Sequence, residues 1–100
     1  MSKYDDFGTL ILAARMAHIT AAEATVRIYR DSAGPIRVTA AGVETIITDE
    51  TRATIDRNAA VSWAYTRGCS ALASTDMQGV DGAVYWFREA LRLAGVPDAP

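Results

Sequence analysis

The chain has one cysteine and one histidine among its 100 residues, and this scarcity excludes several kinds of site. The lone Cys69 cannot form an intramolecular disulfide, and with the lone His18 it cannot supply the ligand set of a zinc site. No calcium-loop pattern and no nucleotide-binding glycine motif is present. We therefore expect neither a metal nor a cofactor.

Support for catalysis is equally scarce. Nothing in the sequence places His18 near Cys69, so a cysteine nucleophile with a histidine base is not indicated. The paired acids Asp5-Asp6 and Asp49-Glu50 stand where helices are predicted to begin, and capping already accounts for acids at such positions. We expect a protein that is not an enzyme and has no catalytic residues.

Charge imbalance and long apolar runs are missing as well. The net charge is -2, which creates no general attraction to nucleic acid or to an anionic membrane. Every uncharged run is far shorter than the roughly 20 residues that cross a bilayer. The opening Met-Ser-Lys-Tyr-Asp-Asp does not resemble a secretory signal, because it holds two acids and no apolar segment. A cytoplasmic protein without a membrane partner is the expectation.

What the chain does have is apolar content. Half of its residues are hydrophobic, enough for one packed domain over residues 1–100, with loose ends at 1–3 and 97–100. Nine arginines accompany a single lysine and alanine is abundant, a composition typical of a GC-rich bacterial or phage genome.

Two helices are predicted in the first third of the chain. The first covers residues 4 to 17 and turns five residues inward: Phe7, Leu10, Ile11, Ala14 and Ala17. The second covers residues 21 to 32, because Thr20 and Glu23 form a capping-box pattern. Its charged side carries Glu23, Arg27 and Arg30, so Val26 and Tyr29 are predicted to face the core.

The middle of the chain predicts a β-hairpin, since residues 36–40 alternate in polarity and residues 43–48 are rich in β-branched side chains. A third helix should run from about residue 48 to Arg67, with Gly68 as its left-handed terminator; whether 69–73 continue it stays open. Its predicted inward stripe is Ile55, Ala59, Trp63 and Thr66. A fourth helix, starting within residues 75–81, should end before Gly95.

These elements predict an α+β fold, mostly helical, with about four helices packed on one antiparallel hairpin in the order α-α-β-β-α-α. The stripe expected to face the core on the last helix is Val80, Val84, Phe87, Leu91 and Ala94.

Residues 83–87 of that helix, Ala-Val-Tyr-Trp-Phe, point in all directions around its axis. They present more apolar surface than one small domain easily buries. Trp and Tyr are enriched in protein interfaces. The main functional hypothesis is therefore an interaction or assembly module that binds a second copy, as a homodimer or higher oligomer, or another protein. The predicted contact residues are Tyr85, Trp86, Arg88, Arg92 and Leu93.

An alternative comes from residues 10–48, whose predicted helix, short turn, helix and hairpin resemble a winged helix-turn-helix. Ala14 and Ile19 match that motif's small and apolar positions, whereas His18 stands where glycine is usual. The resemblance implies nucleic-acid binding, with phosphate contacts from Arg15, Arg27, Arg30 and Arg37. A third hypothesis is a binder of a small anionic ligand, held between the hairpin and the helices.

Overall fold

A computed structural model describes residues 3–31, 37–39, 42–44, 49–74 and 78–96. Within them lie a short 3₁₀ turn and three long helices, with a two-stranded ladder between the first two helices. The elements are the 3₁₀ turn Lys3–Asp5, α1 Phe7–Asp31, β1 Arg37–Thr39, β2 Gly42–Glu44, α2 Asp49–Leu72 and α3 Gln78–Ala94.

Helix α1 begins one turn later than the sequence predicts, because Asp6 caps it. The backbone N–H of Thr9 donates to Asp6 Oδ2 at 2.9 Å, and the Thr9 hydroxyl donates to the same oxygen at 2.8 Å. These two hydrogen bonds, the one from the hydroxyl foremost, lower the pKa of the Asp6 carboxyl below its ordinary 3.8. Asp6 thus satisfies a free N–H at the helix start.

The turn predicted at residues 18–20 is wrong, since these residues lie inside α1, one continuous helix of 25 residues. His18, Ile19 and Thr20 are all compatible with a helix, and neither glycine nor proline interrupts them. A stripe of alanines also crosses the supposed boundary at spacings of three and four residues: Ala14, Ala17, Ala21 and Ala24. One continuous helix keeps this stripe on a single face.

Helix α2 also runs past its predicted end. Gly68 is buried inside it, and a Cβ built at this position would lie 2.4 Å from Phe87 Cε1. Gly68 is therefore required for the close approach of α3 and does not terminate α2. Helix α3 does end as predicted, because Gly95 has φ 72° and the N–H of Val96 donates to the carbonyl of Leu91, as in a Schellman motif.

The helices pack through two adjoining clusters, and alanines form most of the second. The first holds Tyr4, Leu10, Ala14, Ala83, Phe87 and Leu91, and Phe7, Ile11 and Ala17 pack against it, as predicted for the first helix. The second holds Ala21, Val61, Ala64 and Ala90. Five of the ten buried apolar residues that the structure describes are alanines.

The predicted α+β fold with four helices is wrong: in the part of the chain that the structure describes, three helices form the packed fold. In the described ladder, Arg37 pairs with Glu44, Val38 with Val43 and Thr39 with Gly42, in antiparallel register. Neither strand has a Cα within 8 Å of a helical Cα. Within the described residues, the ladder therefore adds no layer to the packed helices.

Several residues predicted to be inside are outside. On α1, Val26 is 65% exposed and Tyr29 is 40% exposed; on α2, Trp63 is 56% exposed. The inward side of α2 is instead formed by Val61, Ala64 and Gly68. Ala59 and Thr66, which belong to the predicted stripe, are exposed like Trp63. On α3, Phe87 and Leu91 are buried as predicted, and Ala83 and Ala90 are buried beside them. Val80 and Ala94, which were also expected to face the core, are exposed.

Candidate functional site

Three aromatic rings of α2 and α3 contact one another, and two of them are exposed. The Trp63 and Trp86 rings are 4.9 Å apart between centroids and nearly perpendicular, at 83°. Tyr85 meets Trp86 at 5.1 Å and 81°. Edge-to-face contacts of this kind bring the positive edge of one ring to the negative face of the next. Trp63, Arg67, Tyr85 and Trp86 together are called the aromatic face.

The guanidinium of Arg67 lies over both tryptophans of the aromatic face. Its Cζ is 5.6 Å from the centroid of Trp63 and 5.4 Å from that of Trp86. Both distances suit a cation–π interaction. Because Arg67 follows Trp63 by one helical turn, α2 itself positions the cation. The guanidinium contacts a ring from each helix and so helps to hold α2 and α3 together at this point.

Exposure differs among the three rings. Tyr85 is 60% exposed and Trp63 is 56% exposed, whereas Trp86 is half-buried against the second core cluster. Trp86 therefore anchors the aromatic face to the core, and Trp63 and Tyr85 form its solvent-exposed surface. Large aromatic side chains held in place before binding are typical of interaction hot spots.

An ion pair borders Tyr85. The Arg92 side chain donates two hydrogen bonds to the Glu89 carboxylate, with Nε at 3.0 Å from Oε2. Hydrogen bonding to Arg92 lowers the pKa of Glu89, and the same contact raises the pKa of Arg92. Both groups therefore stay charged throughout the neutral range, and the rim of the aromatic face carries one charge of each sign.

The other two predicted contact residues lie on different sides of α3. Leu93 is half-buried and packs with Trp86 against the second core cluster. Arg88 is half-buried, with an NH2 nitrogen 3.7 Å from Asp5 Oδ1. At about 100° per residue, Arg88 lies about 200° from Trp86, so the structure does not bring these two together.

Sequence reasoning missed Trp63 and Arg67, because Trp63 was assigned to the core. The signal that could have found them is the small-residue spacing of Val61, Ala64 and Gly68, which matches the alanine stripe of α1. Small residues permit close helix packing, so this side of α2 must face its neighbours. Trp63, two residues after Val61, is then about 200° away from it.

The four arginines of the nucleic-acid hypothesis do not form one described patch. Arg27 and Arg30 share a face of α1 with Glu23. Arg15 is exposed, but the helical rise places it about 18 Å from Arg27 along the axis. The side chain of Arg37 lies outside the described residues.

A separate groove of about 420 Å³ lies where α1 and α2 extend past the end of α3. Its lining is largely apolar, with alanines and Met16, Val61 and Val96, and Arg57 is its charged residue. A ligand here would meet mainly hydrocarbon and one cation. The groove is therefore better suited to an amphipathic molecule than to a strongly polar anion.

Polar and aromatic contacts join α1 to α2 around His18. His18 Nδ1 is 3.0 Å from Ser62 Oγ, and the His18 ring stacks on Tyr65 at 4.8 Å. A hydrogen bond with Cys69 raises the pKa of the Tyr65 phenol, and burial raises it further. No pattern in the sequence indicates that Tyr65 contacts both His18 and Cys69.

Across the parts of the chain that the structure describes, no three histidine, cysteine, aspartate or glutamate side chains are grouped to hold a metal ion. Within the same residues, no helix combines the length and apolar character needed to span a bilayer.

Comparison with known proteins gave no match: no protein-family model, no curated protein and no solved structure corresponds to this chain.

Proposed function

We propose that this protein is a non-enzymatic assembly module that binds a second copy of itself through the aromatic face. The observation that carries the proposal is the set of three contacting rings on one surface, two of them more than half exposed. At about 150–250 Å² for a whole aromatic side chain, Trp63 and Tyr85 together expose roughly 200–300 Å². This is about a third of the 800 Å² that each partner buries in a standard interface.

The small core supports the same conclusion. Only five large apolar side chains are buried among the described residues, namely Tyr4, Leu10, Val61, Phe87 and Leu91. Eight are exposed: Leu12, Met16, Val26, Tyr29, Trp63, Leu72, Val80 and Tyr85. Burial of apolar area is the main driving force for folding and association. Contact between copies would bury area that the single chain leaves in water.

A second copy suits the charges around the aromatic face. Most symmetric dimers use the same surface on both subunits, so that surface must complement itself. Arg67 and Arg92 supply positive charge, and Asp81 and Glu89 supply negative charge one turn before and after Tyr85. Because both signs are present, a two-fold contact can pair opposite charges without opposing like ones.

Light scattering coupled to size-exclusion chromatography tests the proposal at high micromolar protein concentration. The wild type should elute with a mass that is a multiple of 10.7 kDa. The double variant Trp63→Glu/Tyr85→Glu should have a lower mass, because it places carboxylates in the buried centre of the contact. A monomeric wild type, or an unchanged mass in the double variant, would refute self-association through this face.

The matched control is Val80→Glu. Val80 is 51% exposed on the same helix as Tyr85 but is outside the aromatic face, so its variant should keep the wild-type mass. Circular dichroism should give the same helix content for all three proteins, which separates lost association from lost folding.

The proposal includes a cytoplasmic location, because a reducing compartment suits the exposed free thiol of Cys69. For the nucleic-acid alternative, the continuous α1 removes the turn on which the winged helix-turn-helix resemblance depended. The structure therefore favours assembly over that alternative.

A further inference from the structure

Tyr85 lies on the outermost line of α3. Four residues of this helix are buried: Ala83, Phe87, Ala90 and Leu91. At about 100° per residue, their directions round the helix are centred about 180° from Tyr85. Tyr85 is exposed and therefore points directly away from the core. A helix that covers α3 from outside meets Tyr85 first.

Charged residues of both signs lie on one flank of this line. Asp81 comes four residues before Tyr85, and Arg88 comes three residues after it. They lie about 40° and about 60° from Tyr85 in the same rotational direction. Asp81 is exposed, Arg88 is half-buried, and both line one surface hollow with Tyr85. The two charges thus share a flank, although about 10.5 Å of helical rise separates them.

We infer that α3 packs against α3 of a second copy as an antiparallel pair, with the two-fold axis at Tyr85 and with Asp81 paired to the partner's Arg88. This contact rests on the proposed self-association through the aromatic face and specifies its direction and register. The two-fold axis lies in the contact plane, perpendicular to both helices. Rotation about it reverses the height of each residue along the helix but keeps the residue on its own flank.

The heights of the two charges match in this register. Arg88 lies about 4.5 Å from Tyr85 towards the C-terminal end of α3, and the partner's Asp81 lies about 6 Å from it in the same direction. Because both are on the same flank, the guanidinium and the carboxylate face each other. Arg92, about 10.5 Å from Tyr85 and about 20° towards that flank, lies on the far side of the partner's Asp81. Each Asp81 is thus placed between two arginines of the other copy.

Both members of the pair are available for it. Within the described residues, Asp81 has no ion pair of its own. The Arg88 side chain is 41% exposed, and its contact with Asp5, at 3.7 Å from an NH2 nitrogen to Oδ1, is longer than a hydrogen bond. A guanidinium carries five N–H donors, so Arg88 can bind a second carboxylate.

The other flank of α3 carries the aromatic rings. Trp86 lies about 100° from Tyr85 in the opposite rotational direction, and there it meets Trp63 of α2. Because the two-fold axis keeps each residue on its flank, Trp63 of both copies lies on this side of the helix pair. Aromatic rings therefore border the contact on one flank, and ion pairs border it on the other.

The charges favour the antiparallel direction. In a parallel pair the two-fold axis runs along the helices and exchanges the flanks, so Asp81 would lie near the partner's Gly82. Arg88 would then approach the partner's Glu89, whose carboxylate already accepts two hydrogen bonds from Arg92. The antiparallel pair is the arrangement that gives Asp81 a cation.

Charge reversal with rescue tests the register, with the dimer dissociation constant measured by light scattering over a dilution series at low salt. Asp81→Arg should raise this constant by about tenfold or more, because the new arginine faces the partner's Arg88. Arg88→Asp should raise it as well, because two aspartates then face each other. The double variant Asp81→Arg/Arg88→Asp should return it to near the wild-type value, since the pairs are rebuilt with their signs exchanged.

Rescue reports on the contact between copies, because Asp81 and Arg88 of one chain are too far apart along α3 to pair with each other. Two single variants are controls. Glu23→Arg makes the same charge change as Asp81→Arg at an exposed position of α1, and Asp5→Asn removes the contact that Arg88 makes within its own chain. Both should keep the wild-type dissociation constant. Circular dichroism should give the same helix content for every variant.

The register and the aromatic face can fail separately. If Trp63→Glu/Tyr85→Glu dissociates the dimer while either single reversal leaves the dissociation constant unchanged, the register is wrong and self-association through the aromatic face stands. A double reversal that binds as weakly as the single reversals also overturns the register. A wild type that stays monomeric, at 10.7 kDa, overturns both.

Discussion

The ring of Phe87 packs directly on the backbone of Gly68. A Cβ built on Gly68 would lie 2.4 Å from Phe87 Cε1 and 2.6 Å from Cδ1, closer than real Cβ atoms approach other atoms. Both residues are buried, and Phe87 also meets the rings of Phe7 and Tyr65 at 6.4 and 5.7 Å. Gly68 therefore sets how closely α2 and α3 approach.

Gly68→Ala should destabilise the protein although alanine is the better helix former. The gain in helix propensity is about 1 kcal/mol, whereas overpacking a filled core typically costs about 1–3 kcal/mol. Urea unfolding should show a net loss. Gly82→Ala is the matched control: its Cβ would be 3.4 Å from Ala71 Cβ, an ordinary contact, and the variant should be neutral or more stable. Equal effects at the two glycines would contradict the packing argument.

The helical segments could be predicted from periodicity, but the number of helices could not. Gly68 is an ordinary helix terminator in sequence, and only the ring of Phe87, 19 positions away, shows why a glycine is needed within α2. The hydroxyl of Thr20 and the carboxylate of Glu23 have the spacing of a helix start. Packing of Ala17, Ala21 and Ala64 within one cluster overrides that local signal.

The candidate site was predictable on α3 and not on α2. Tyr85 and Trp86 stood out because five apolar residues in succession exceed what one helix face can bury. Trp63 was misplaced because large aromatic residues are normally assigned to the core, whereas this fold packs its helices through alanine and glycine. Its contact with Trp86 depends on how α2 and α3 pair, which the sequence of either helix does not contain.

The Arg67 cation should stabilise the aromatic face through Trp63. A double-mutant cycle with Trp63→Leu and Arg67→Ala, measured by urea unfolding in dilute protein, should give a coupling of about 0.5–1 kcal/mol. Arg67→Lys should retain part of it, since lysine keeps the charge but not the planar guanidinium. Strictly additive effects of the two substitutions would show that the contact between Trp63 and Arg67 contributes no stabilising energy.

The cap at Asp6 should make stability depend on pH in acid. Its folded pKa is lowered, so its contribution is complete above the unfolded value near 3.8 and is lost as the pH falls through the folded value. Asp6→Asn keeps a capping oxygen but does not titrate. The melting temperature of the wild type should exceed that of Asp6→Asn at pH 7, and the difference should shrink below pH 3.8. A difference that stays constant from pH 7 to pH 2 would contradict this assignment.

Thr20→Ala distinguishes a continuous α1 from two capped helices. If Thr20 capped a second helix, its loss would cost about 1 kcal/mol of stability. In the middle of α1, where Thr20 is exposed, alanine should stabilise by about 0.5 kcal/mol, because a β-branched side chain loses rotamer freedom in a helix. Urea unfolding measures the sign, and Asp6→Ala provides a residue that does cap and should destabilise. A loss of stability with Thr20→Ala, like that expected with Asp6→Ala, would contradict the continuous α1. It would support a turn at residues 18–20, as in a winged helix-turn-helix.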